Sequence, residues 1–235
     1  MPGPQWDAHR QAISSRRDLA WLLAGLLGLL VWESCGADLW LIRMYGTPQG
    51  FAWQHHLLLS RVLHDGGRWL AWLALAILAW DARVQMWPGP CRRDRLLAIA
   101  LVLLTTLAIS GLKRFSMTSC PWDLAEFGGH WPYVPHWWWP MRDGGPGHCF
   151  PSGHASSAFS FFLAWAIWRH FNVRMARIML AASLSLGILF AWVQMARGAH
   201  FLSHSMWTAW LCWAAATGVS RATLRRRSAA QVQAT

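Results

Sequence analysis

Apolar residues lie along this chain in long blocks rather than in alternation. Six stretches of 15 to 23 residues are mostly apolar: Leu19–Leu41, Arg68–Ala82, Leu96–Leu112, His154–Trp168, Ile178–Met195 and Ser203–Val219. A bilayer core about 30 Å thick is crossed by roughly 20 mostly apolar helical residues, so the blocks predict membrane-spanning helices. Glu33 and Asp38 interrupt the first block, which is expected to end early, and the second reaches spanning length only if Arg61–Asp65 extends it at the interface. No stretch shows the period-two alternation of a barrel strand. The predicted fold class is all-α: a single polytopic membrane domain over residues 1–235 with six transmembrane helices. Residues 1–15 and 228–235 read as loose cytoplasmic tails, and one long connection, 113–153, joins the third and fourth helices.

Charge orients this layout. The chain carries 21 basic residues against 10 acidic ones, a net charge of +11, and every basic residue except Lys113 is Arg. With the N-terminus cytoplasmic, only Arg43, Arg61, Arg68, Lys113, Arg114, Arg142 and Arg197 fall on the outer side, which is the asymmetry expected when cytoplasmic loops retain Arg and Lys. The surplus is then a topology signal and calls for no nucleic-acid partner. The 55% hydrophobic and 13% charged composition, against roughly 25% charge in soluble domains, excludes disordered and collagen-like classes. Several of the 20 Trp residues, including Trp21, Trp69, Trp80, Trp168 and Trp207, fall near block ends, as in interfacial belts. Arg16-Arg17 ahead of Leu19–Trp32 resembles a signal segment, but no small-x-small cleavage site follows cleanly, so the block is read as a retained span. The expected location is a bacterial cytoplasmic membrane, with the long connection on its outer face.

Polar chemistry gathers on that face. The segment Lys113–Gly153, about 40 residues rich in Pro, Gly and Trp, is long for a connection inside a compact bundle, and such loops are usually functional. It begins at Lys113-Arg114 and ends in Pro151-Ser152-Gly153-His154, while the short connection between the fifth and sixth blocks carries Gln194, Arg197, His200 and His204. A helix N-terminus at Ser152-Gly153 offers backbone N–H groups and a favourable dipole to an anion. Lys113 and Arg197 would neutralise a phosphate, the guanidinium in bidentate fashion. Two histidines, one nucleophile and one acid, suffice for phosphoester cleavage.

Pro151-Ser152-Gly153-His154 opening one span, Lys113 ending the preceding span and Gly198-Ala199-His200 leading into the last span resemble, in that order, the three motifs of the type 2 phosphatidic acid phosphatase superfamily of membrane lipid phosphatases. The resemblance covers about Leu96–Val219. It implies that His200 is the nucleophile that forms a phosphohistidine and that His154 protonates the leaving oxygen. It also implies that Ser152, the Gly153 N–H and Lys113 hold the phosphate, with no cofactor or metal. The implied partners are the bilayer and a membrane lipid phosphate: phosphatidic acid, phosphatidylglycerophosphate, a polyprenyl diphosphate or a lipid A phosphate.

The family pattern is not complete. Its first-motif Arg-Pro is Cys120-Pro121 here, its third-motif Arg is Gln194, and its Asp four residues after the nucleophile is His204. Arg114 and Arg197 are the candidate replacements for the two guanidiniums, and Asp123 and Glu126 for the carboxylate. Cys120 and Cys149, each beside a motif, are candidates for a disulfide in an oxidising compartment. Other readings stay open. His200 and His204 have the i,i+4 spacing of zinc ligands, with His148 and Cys149 near in sequence. Lys113 and Arg197 have the positions of snorkelling anchors, and Trp137–Trp139 those of an acyl or sugar grip or of interfacial ballast. The motif departures also suit a catalytically silent lipid-phosphate binding protein. A transporter is disfavoured, since no inverted repeat is evident.

Overall fold

The computed structural model describes residues 4–137 and 142–233. Every apolar block forms helix. The elements are α1 (Pro4–Ser34), α2 (Ala37–Ile42), a two-stranded antiparallel ribbon of β1 (Gly46–Thr47) and β2 (Gly50–Phe51), α3 (Gly66–Val84), α4 (Arg92–Phe115), α5 (Gly153–Phe159), α6 (Phe162–Trp168), α7 (Val173–Ala196) and α8 (Leu202–Gln233). A π-helical segment, Leu58–Asp65, runs straight into α3 and lengthens the second block as anticipated. The first 15 and last eight residues, expected as loose tails, are largely helical: α1 starts at Pro4 and α8 ends at Gln233. The chain is therefore all-α apart from the small ribbon.

The helices are unequal. Among the described residues two, α4 and α7, are each 24 residues long and apolar enough to cross a membrane. The fourth block is stepped, not straight: α5 and α6 have seven residues each, only about 10 Å apiece at 1.5 Å per residue. At the step the backbone tightens from i→i−4 to i→i−3 bonding, with Phe161 N donating to the Ala158 carbonyl and Leu163 N to that of Ser160. This keeps the chain helical while turning it.

The stepped pair is the centre of the molecule. Residues Phe162–Trp168 are all buried, and α6 packs against α4, α7 and α8. Small residues permit the approach: an added Cβ at Gly187 of α7 would stand 2.1 Å from the Phe159 ring, as expected where helices meet through small side chains. At the opposite end from the motifs, Asp81 of α3 and Arg95 of α4 form a fully buried ion pair beneath Trp168. Asp18 of α1 accepts two 3.0 Å bonds from Arg169, whose guanidinium also lies 4.5 Å over the Trp165 ring.

The long connection folds back over the helix ends. Asp143 accepts from the N–H groups of Ser119 (2.6 Å) and Gly145 (2.9 Å), while His148 N and Cys149 N donate to the carbonyls of Ser116 and Thr118. A disulfide joins Cys120 to Cys149. Ile42, Phe51, Leu124, Phe127, Met195 and Phe201 form a second small core under this cap. Trp137 is exposed, and Trp138 and Trp139 of the predicted aromatic cluster lie outside the described residues.

Candidate active site

One cavity of about 760 Å³ opens where the motif-bearing helix ends meet. Each wall follows from local sequence. Lys113 and Arg114 occupy the last turn of α4, where cations complement the helix dipole. Ser152 caps α5, accepting a hydrogen bond from Ala155 N at 3.4 Å, so Gly153 and His154 form its first turn. Gly153 faces the Lys113 side chain: an added Cβ would make ordinary van der Waals contact with Lys113 Cδ at 3.5 Å and Nζ at 4.0 Å. Arg197 caps the C-terminus of α7, and Gly198, at φ +74°, turns the chain so that His200 faces inward before α8 begins. The Gln194 carbonyl closes that turn, accepting from Ala199 N (2.8 Å) and His200 N (3.3 Å). Trp122 N donates to the Gly198 carbonyl and binds the outer loop to it.

Lys113, Arg114, Gly153, His154, Arg197 and His200 all line this cavity, from motifs more than 80 residues apart. Ser152 and His204 do not. Ser152 is fully buried behind the α5 N-terminus, with its N–H on the His204 carbonyl (3.1 Å) and its own carbonyl accepting from Thr208 Oγ1 (3.0 Å). His204 is 1% exposed and stands behind His200, ring centroids 5.7 Å apart and planes at 70°. The Ser152 hydroxyl caps α5 as an acceptor, and the His204 ring stands behind that of His200. His154 rests against Phe190 of α7, centroids 4.7 Å apart. Gly67 of α3 makes room for both, since its Cβ would approach Phe190 to 2.6 Å and His154 Nε2 to 3.2 Å.

The electrostatics are one-sided. Among the described residues, Arg68, Lys113, Arg114 and Arg197 line the cavity and no carboxylate does. Burial lowers the pKa of the Arg197 guanidinium, an effect opposed by the field of Asp65; its Nε donates to the Gln54 carbonyl at 3.2 Å. The two acids considered as stand-ins for the motif carboxylate are committed elsewhere. Asp123 accepts from Cys120 N at 3.1 Å, and burial raises its pKa. Glu126 pairs with Arg43 on the surface. Cys149, His200 and His204 do cluster, their ligand atoms lying within 4.8 Å of one another, but Cys149 is spent in the disulfide and offers no thiolate. That donor set fits zinc poorly.

Two lining residues escaped the sequence reading as site residues. Arg68 was counted only as an outer-side charge, and Gln194 only as a departure; both border the cavity. No local pattern signals Arg68, which α3 brings in from 45 positions before Lys113.

Neither the curated proteins nor the solved structures contain a match to this chain. The family model of the PAP2 superfamily, however, matches residues 95–228, a span that begins at the buried Arg95 and takes in every histidine and cation that lines the cavity except Arg68. That match covers more than half of the chain and agrees with the convergence of its three motifs on one cavity: the protein belongs to the PAP2 superfamily.

Proposed function

We propose that the protein is a metal-independent phosphatase acting on the phosphate ester or diphosphate of a membrane lipid headgroup. Membership of the superfamily supports a phosphatase of the phosphatase/phosphotransferase kind. The observation that carries the assignment is that His154 and His200 line one cavity with four cations and, among the described residues, no acid. His200 attacks phosphorus, forming an N–P bond as the P–O bond to the leaving group breaks, and His154 gives its proton to the departing oxygen. Water, deprotonated by His154, then attacks the phosphohistidine and releases phosphate with His200 restored. Lys113, Arg114 and Arg197 stabilise the negative charge on the phosphoryl oxygens, as does the Gly153 N–H at the α5 N-terminus.

A lipid substrate is supported by a second cavity, about 220 Å³ and almost wholly apolar, between α3, α6 and α7. Ala71, Ser157 and Phe161 border both cavities, so a hydrocarbon chain can leave the polar chamber through a shared wall. The exposed surface is itself strongly apolar, with Trp21, Leu27, Trp69, Trp72, Leu104, Leu107 and Ile188 all outward, and patches of that kind suit contact with lipid. The proposed setting is a bacterial cytoplasmic membrane crossed six times, by α1, α3, α4, the α5–α6 pair, α7 and α8, with the site on the outer face.

The test is phosphate release by detergent-solubilised protein from phosphatidic acid, phosphatidylglycerophosphate, a polyprenyl diphosphate and a lipid A phosphate. Release from at least one, lost in His200→Ala and insensitive to ethylenediaminetetraacetate, is expected; equal release from both proteins would refute the assignment. A second reading, a lipid-phosphate binding protein without turnover, is favoured by Gln194 and His204 standing at the motif's Arg and Asp positions. It requires lipid-phosphate binding with no release from any of the four.

A further inference from the structure

We propose that the Cys120–Cys149 disulfide sets the tautomer of His200, making Cys149 a positioning residue for the nucleophile. The inference rests on the phosphatase function above. Cys149 is fully buried, and its Sγ lies 3.5 Å from His200 Nδ1 and 3.1 Å from the Ala199 carbonyl oxygen. His200 is itself only 4% exposed, so bulk water competes little at this contact.

The chemistry of the contact is one-directional. A neutral imidazole has one N–H donor and one lone-pair acceptor. A disulfide sulfur carries no hydrogen and can only accept. The contact is therefore favourable only when the ring proton sits on Nδ1, which leaves the in-plane lone pair on Nε2, the other nitrogen of a residue that lines the cavity. An attack on phosphorus needs that lone pair. The role is the orienting one that a third group plays behind a base or nucleophile. His204, at the motif's carboxylate position, lies with its ring centroid 5.7 Å from that of His200.

Reduction removes the constraint. Cys149 then carries an S–H with two acceptors in reach, the Ala199 carbonyl and His200 Nδ1. Donation to Nδ1 shifts the ring proton to Nε2 and removes the nucleophile's lone pair. Cys120 borders the cavity, which gives a reductant its access.

The experiment uses full-length protein labelled with 15N-histidine in detergent micelles, with the His200 signals identified by their loss in His200→Ala. Spectra and phosphate release are recorded before and after treatment with tris(2-carboxyethyl)phosphine. The oxidised protein should show His200 as the Nδ1–H tautomer. Reduction should populate the Nε2–H form and lower kcat roughly threefold to tenfold, the size of one weak neutral hydrogen bond, with KM little changed. Cys120→Ser, which leaves the Cys149 thiol in place without any reductant, should reproduce both changes. An Nε2–H tautomer in the oxidised protein would overturn the proposal, as would an Nδ1–H tautomer that reduction leaves intact, whatever happens to the rate. If reduction unfolds the protein, seen as loss of helical circular dichroism, the tautomer of the oxidised form decides alone. Absence of phosphate release from the oxidised protein counts against the phosphatase function and leaves the tautomer assignment standing.

Discussion

The two ends of this helix bundle both gather charge, buried around Arg95 and half-buried or exposed around the cavity, and they hold it in opposite ways. Around Arg95 every charge is answered: Nε donates to the Pro90 carbonyl (2.7 Å), Nη2 to that of Trp87 (2.7 Å) and Nη1 to the Asp81 carboxylate, while the guanidinium covers Trp168. Asp81 in turn accepts from Trp87 N at 3.3 Å. At the other end four cations, and among the described residues no acid, border a cavity. A buried ion pair closes on itself and fastens α3 to α4. Four like charges around one concave site focus a positive field that attracts an anion, so the imbalance suits anion binding.

Substitutions at the two ends should therefore fail differently. The largest effect is expected from His200→Ala, which should bring phosphate release down to the no-enzyme rate while leaving the thermal unfolding midpoint near that of the parent. His154→Ala should lower kcat by roughly 10²- to 10⁴-fold, the usual contribution of general acid–base catalysis, measured as steady-state phosphate release. At the other end Arg95→Ala strands the Asp81 carboxylate and should cost about 3–5 kcal/mol of stability by denaturant titration, with kcat of the folded fraction unchanged. A kinetic defect there without a stability defect would erase the distinction between the two clusters.

Smaller effects sharpen it. Lys113→Ala removes a charge-assisted contact worth about 1.5–3 kcal/mol, so kcat/KM should fall by roughly 10- to 100-fold with little loss of stability. Gly67→Ala places a methyl against Phe190 and His154; the overpacking should cost about 1–3 kcal/mol and displace the general acid, so that stability and kcat fall together. Arg43→Ala breaks the exposed pair with Glu126, and surface pairs contribute little, so no measurable change in either quantity is expected.

What was legible in the sequence follows the same division. The apolar blocks announced every long helix, because burial or lipid contact over 15 or more residues leaves an unbroken compositional trace. Lys113, His154 and His200 could be placed on one face because each falls at a block end. Residues set by tertiary contact were not legible. Arg68 reaches the cavity from another helix, and nothing in its neighbourhood distinguishes it from an interfacial anchor. His204, read at the position of the group that orients the nucleophile, does stand behind His200, whereas the capping geometry of Ser152 is set by the α5 turn and the α8 contacts around it. The step between α5 and α6 has no Pro or Gly to announce it; it arises from i→i−3 bonding around Ser160 in the packed centre. The Cys120–Cys149 pairing was a candidate on proximity to two motifs, but the contact between Cys149 Sγ and His200 depends on the fold of the whole outer loop.

The central claim, nucleophilic catalysis by His200, is tested most directly by trapping its intermediate. Protein mixed briefly with 32P-labelled phosphatidic acid, or with whichever of the four lipids is turned over, and quenched in alkali should retain label that is stable to base and released by acid, as a phosphohistidine is. The label should be absent from His200→Ala. Phosphate release by the parent protein with no label on the chain at any quench time, or equal labelling of His200→Ala, would contradict it.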